Sequence, residues 1–225
     1  MGDVGIRGVV FDLDGTLVKS SVDFKGMKRR MIEVLTRYGV PRELLSPEKT
    51  TVENLKMAEE AWSRMGVDDE VRRRALREVE EVMNEAELEA LPTVQPIEGV
   101  REALERLRGM GLKLAVLTRG HQAYAVEALR RVGLLELIDV VLTRDNVEKP
   151  KPNPEALMEA AERLGLEVDE IVFVGDHPID STCAEGASVR FIAVLTGWMD
   201  REGWRAEGVE EVVESVSALP EYLDG

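Results

Sequence analysis

The sequence predicts an α/β fold, a doubly wound parallel sheet interrupted after its first strand by a helical insertion. Three observations lead there. Five short apolar runs rich in β-branched residues are spread along the chain, amphipathic helical patterns alternate with the later runs, and residues 22–90 carry helical periodicity with no strand pattern.

The runs are Ile6–Phe11, Lys113–Leu117, Ile138–Leu142, Ile171–Val174 and Phe191–Val194. Continuous rather than alternating apolarity marks a strand covered on both faces, as in a parallel sheet. Helical patterns follow at Val100–Arg108, Ala123–Val132, Glu155–Leu164 and Ile179–Ala187, with Gly133 and Gly165 standing where helix-terminating glycines do. In the insertion, Phe24–Tyr38, Val52–Met65 and Glu70–Leu91 read as amphipathic helices separated by Gly39–Pro41 and Ser46–Pro47. Leu17–Ser21 and Pro92–Pro96 then connect it to the rest. The expected division is a core of residues 1–18 and 95–225 and an inserted helical domain of residues 19–94.

The 225 residues suffice for one core and a small second domain. No apolar run is long enough to span a bilayer, and no basic-then-apolar leader opens the chain, so a cytoplasmic protein is expected. The net charge of −15 disfavours nucleic acid and anionic membranes as partners, and an anionic substrate would have to meet a local positive site. The single cysteine, Cys183, excludes an internal disulfide and reads as a small buried side chain.

Chemistry-bearing residues gather just past the strands. The first run ends in Phe11-Asp12-Leu13-Asp14-Gly15-Thr16, the second in Leu117-Thr118-Arg119-Gly120, and the fourth in Val174-Gly175-Asp176-His177-Pro178-Ile179-Asp180. Glu148-Lys149-Pro150-Lys151-Pro152-Asn153-Pro154 precedes a helix. Taken singly, each has a plain structural reading. Asp and Gly are turn residues, Thr118 would serve as a helix N-cap, and the lysines could sit on a solvated turn. Together they lie at the carboxyl ends of strands, where open α/β sheets bind ligands.

In this order the four segments resemble the motifs of the haloacid dehalogenase superfamily, and specifically its phosphoglycolate phosphatase-like members with a type 1 helical cap. That resemblance implies a Rossmann-like core, a cap formed by the insertion, and a magnesium-dependent phosphatase acting on a small phosphate ester. It implies Asp12 as nucleophile and Asp14 as acid and base. Asp12, Asp14 (through its backbone carbonyl), Asp176 and Asp180 would serve the metal. Thr118, Arg119, Gly120 and Lys149 would hold the phosphoryl group, Lys149 being preferred for the family's lysine and Lys151 assigned to the surface. Arg119, where many relatives carry asparagine, could reach an oxyanion or point to solvent. His121 and His177 border the site and read as structural; Trp198 and Trp204 read as packing residues. A phosphomutase shares every motif and is the main alternative. Asp14 argues against a dehalogenase, and nothing marks a cap lysine for a phosphonatase.

Overall fold

The computed structural model describes residues 5–224. These form two compact units, one made of the residues through Ser20 together with those from Leu91 onward, the other spanning Ser21–Ala90.

The larger unit begins with β1 (Gly8–Phe11), followed by the two-residue strand β2 (Val18–Lys19). The chain then builds the second unit from α1 (Phe24–Arg37), α2 (Thr51–Met65) and α3 (Asp69–Ala90). It returns through β3 (Gln95–Pro96) and continues as α4 (Val100–Gly109), β4 (Lys113–Leu117), α5 (Gln122–Arg131), β5 (Val140–Leu142) and α6 (Glu155–Leu164). The last elements are β6 (Ile171–Gly175), α7 (Pro178–Ala187), β7 (Arg190–Val194), α8 (Arg201–Ala206), β8 (Val212–Val213) and α9 (Leu219–Asp224).

The main sheet has the order β5-β4-β1-β6-β7-β8, with every pairing parallel. The apolar β1 thus lies between β4 and β6, with Phe11 in register with Val116 on one side and Val174 on the other. Val9, Val10, Phe11, Ala115, Leu117, Phe173 and Val174 are all fully buried. Helix faces supply the other half of the core: Ala156, Leu157, Ala160 and Leu164 of α6 and Cys183, Ala184 and Ala187 of α7 join one cluster with Val10, Ala115, Leu142 and Phe173. Cys183 is free and buried.

The chain leaves and re-enters this unit at neighbouring places, because β2 and β3 pair antiparallel, Val18 opposite Pro96 and Lys19 opposite Gln95. In the helical unit, Met27, Met31, Leu35, Ala58, Trp62, Ala75, Val79 and Met83 form a separate apolar core. Helix α2 opens on a reciprocal cap between Thr50 and Glu53 and closes on Gly66 at φ 66°, a left-handed conformation glycine adopts without a Cβ clash. Among the described residues no helix is long and apolar enough to cross a membrane.

Candidate active site

The sheet order explains why distant motifs meet. With β4, β1 and β6 adjacent and parallel, the residues that follow them emerge side by side at one edge. Asp12 continues the ladder by one bond, its N–H donating to the Val174 carbonyl at 2.9 Å. The chain then curls: the Leu13 carbonyl accepts from the amides of Leu17 (2.9 Å) and Val18 (3.0 Å), with Gly15 at φ 87° taking the positive-φ position of the turn.

Asp12, Asp176 and Asp180 are buried, and a ligand oxygen from each lies within 4.8 Å of the others. Lys151 joins them, its Nζ 2.5 Å from Asp12 Oδ1 and 2.7 Å from Asp180 Oδ1, with the residue only 2% exposed. Asp176 accepts from Thr16 Oγ1 at 3.1 Å and from the Trp198 amide at 3.0 Å. Asp180 Oδ2 accepts from the His177 amide at 3.2 Å. Asp14 Oδ1 accepts from two hydroxyls, Ser20 Oγ at 2.6 Å and Tyr124 Oη at 2.5 Å.

Burial pushes the Asp12 carboxyl well above the usual carboxylate range; the Lys151 ammonium pulls it back, and Asp180 and Asp176 raise it further. Burial, with Asp180 beside it, lifts Asp176 to about 6. Burial works against the charged form of Lys151, but Asp12 and Asp180 outweigh it and hold the ammonium above the ordinary lysine value. With all three carboxyl groups ionised, one ammonium leaves an excess of buried negative charge, which is costly without a further cation. The donor set is oxygen throughout, as a hard divalent ion requires. Gly15, Gly175 and Gly197 stand so close to the two later acids that a Cβ at any of them would lie within 2.5 Å of an Asp176 or Asp180 oxygen. The residues present fit a bound divalent cation.

The sequence pattern of haloacid dehalogenase-like hydrolases matches residues 9–194. The chain belongs to that family. It is similar to a phosphoglycolate phosphatase of Nitrosospira multiformis, 30% identical over 86% of this chain and 85% of that protein. It is likewise similar to the validoxylamine A 7'-phosphate phosphatase of Streptomyces hygroscopicus subsp. limoneus, 31% identical over 83% of this chain and 84% of the relative. Among solved structures, a candidate β-phosphoglucomutase of Thermotoga maritima superposes with a TM-score of 0.63 at 25% identity, covering 97% of this chain and 99% of the other.

Within this haloacid dehalogenase-like hydrolase, one expected site residue is corrected. Lys149 is half-exposed and pairs with Glu155 at 2.8 Å on the surface, whereas Lys151 is the buried lysine at Asp12. The segment contains Lys-Pro-x-Pro twice in overlapping frames, from Lys149 and from Lys151, and the frame nearer the start of α6 is the one that turns inward. Thr118 is buried, and its Oγ1 accepts from the Gly120 amide at 2.9 Å in the turn before α5. Arg119 makes a contact that neither expected course, oxyanion or solvent, included: its guanidinium donates to the backbone carbonyl of Lys151, and its own carbonyl accepts from Arg144 at 2.5 Å.

His177 caps α7, its Nδ1 accepting from the Ile179 amide at 3.1 Å, and His121 occupies the N-cap position of α5, 3.8 Å from Asp145. Trp204 is fully buried, as expected of a packing residue, but Trp198 is 70% exposed with its ring 5.3 Å from that of His177. The loop after β7 turns Trp198 outward because its backbone is held at Asp176 and Thr196 Oγ1 donates to the Gly15 carbonyl at 2.5 Å. Tyr124 carried no motif signal; an aromatic on the inner face of a helix reads as core, and its hydroxyl contact with Asp14 joins segments far apart in sequence.

Proposed function

We propose that this protein removes the phosphoryl group from a small phosphate monoester, using magnesium and carrying that group transiently on Asp12. The observation that carries this reading is the buried Asp12 carboxylate, flanked by Lys151 and by two further acids at the carboxyl edge of the sheet. The two phosphatase relatives support a phosphate ester as the substrate class.

In this reading an Asp12 oxygen attacks phosphorus and the bond to the leaving oxygen breaks. Asp14 gives that oxygen a proton and later takes one from the water that attacks the same phosphorus, as the bond from phosphorus to Asp12 breaks and phosphate leaves. Lys151 offsets charge on Asp12 and on the transferring group, while the Thr118 hydroxyl and the amides at the start of α5 hold phosphoryl oxygens. Asp12, Asp176 and the Asp14 carbonyl would hold magnesium, with Asp180 beside them, and the ion would supply positive charge where two anions must approach each other. The helical unit is assigned the role of a cap that sets substrate choice, and the enzyme is placed in the cytoplasm.

The test is phosphate release from a panel of small phosphate monoesters. Turnover is expected with magnesium, none after chelation, and none from Asp12→Asn, because an amide is a poor nucleophile. Asp12→Asn retaining more than a few per cent of the rate would sink the mechanism. The likeness to the Thermotoga protein keeps one second reading, a phosphomutase; isomer interconversion without phosphate release would favour it.

A further inference from the structure

The geometry points to Tyr124 as a positioning residue for Asp14, fixing the orientation of the carboxyl group that serves the leaving oxygen; this rests on the acid–base role proposed above. Tyr124 lies in the first turn of α5 and is fully buried. Its Oη donates to Asp14 Oδ1 at 2.5 Å. The ring packs tightly against the turn that carries Thr118: a Cβ on Gly120 would lie 3.2 Å from the Tyr124 ring and 3.3 Å from Thr118 Oγ1. The side chain therefore spans from the phosphate-holding turn to the acid–base residue.

A carboxyl group has two side-chain torsions to fix, and proton transfer demands a narrow geometry. Ser20 contributes a second bond to the same oxygen, but from a short side chain beside the β2–β3 ribbon. The Tyr124 hydroxyl projects from a ring locked by packing, so its bond ties the Asp14 orientation to the rigid core. Phenylalanine would fill the same space without that bond. The role is thus separable from the residue's contribution to the core.

The experiment compares Tyr124→Phe with wild type on an alkyl phosphate, a poor leaving group, and on p-nitrophenyl phosphate, which needs little protonation. Loss of this hydrogen bond is expected to lower kcat on the alkyl ester about tenfold. KM and the rate on p-nitrophenyl phosphate should stay within about twofold. In an Asp14→Asn background, measured with phenyl phosphate, Tyr124→Phe should add no further slowing. Equal slowing of both esters, or full additivity with Asp14→Asn, overturns the assignment. Asp14→Asn alone separates the two levels. If it too slows both esters equally, the acid–base reading of Asp14 fails; if it discriminates and Tyr124→Phe does not, only the role of Tyr124 fails.

Discussion

At the scale of single residues, the decisive contact is the ammonium shared by Asp12 and Asp180. Breaking a buried ion pair by deleting one partner leaves uncompensated charge and is strongly unfavourable. In the proposed mechanism it would also leave Asp12 and a phosphoryl group facing each other with one cation fewer. Lys151→Met is therefore expected to lower turnover by about 100-fold or more. Lys149→Ala, which removes only an exposed pair with Glu155, should stay within about twofold. The comparison is made with steady-state phosphate release at saturating magnesium, and the reverse ranking would return the catalytic assignment to Lys149. The sequence shows the lysine pair and its prolines plainly but not the choice between them, because both lysines satisfy the same local pattern and only tertiary placement distinguishes them. The positions of Asp12, Asp14, Thr118, Asp176 and Asp180 were legible because each stands at the end of a strand or in the turn beyond it, and the structure gathers three of them, Asp12, Asp176 and Asp180. Tyr124 was not, since its hydroxyl acts on a residue more than a hundred positions away.

At the scale of elements, the loops after the strands are shaped by glycine as much as by acid. A Cβ at Gly197 would sit 1.8 Å from Asp176 Oδ2, so alanine there must displace the carboxylate or the loop that carries the Trp198 amide. Gly197→Ala is expected to raise the magnesium requirement by about 10- to 100-fold, the usual cost of disturbing the support of a metal ligand. Gly109→Ala, at the end of α4 where a Cβ meets nothing within 4 Å, should leave it unchanged. Magnesium titrations followed by activity and by tryptophan fluorescence check this. Trp62 and Trp204 are fully buried, so the exposed Trp198 is the indole whose surroundings report on that loop. Equal magnesium curves for the Gly197 variant and wild type would remove the loop from the metal site. The main strands and helices were legible for the same reason that the loops are tight: buried parallel strands are continuous apolar runs bounded by turn residues. The strands β2, β3 and β8 have two residues each, too few for any periodicity, and their pairing is decided by contacts remote in sequence.

At the scale of the whole molecule, the described residues include two apolar clusters that each draw their side chains from one unit alone. The larger unit holds all four motifs, and the β2–β3 pairing brings its two cut ends together, so its sheet needs nothing from residues 21–90 to close. Replacing residues 22–90 by a short flexible linker is therefore expected to leave a folded core. Closing a shorter loop costs little, because the ribbon already fixes the ends and loop entropy grows only slowly with length. Circular dichroism and a cooperative thermal transition test the fold, and magnesium-dependent fluorescence of Trp198 tests the metal site independently of activity. Catalysis should separate from selection: the core should cleave small activated esters slowly, while its preference among alkyl phosphates flattens. A protein of net charge −15 has little long-range attraction for anions, so discrimination has to come from local contacts around the ester. A soluble, magnesium-responsive core that ranks the same esters in the same order as the intact chain would refute the cap assignment. Specificity would then lie in the loops of the sheet edge, with the exposed Trp198 and its neighbour His177 the first side chains to replace.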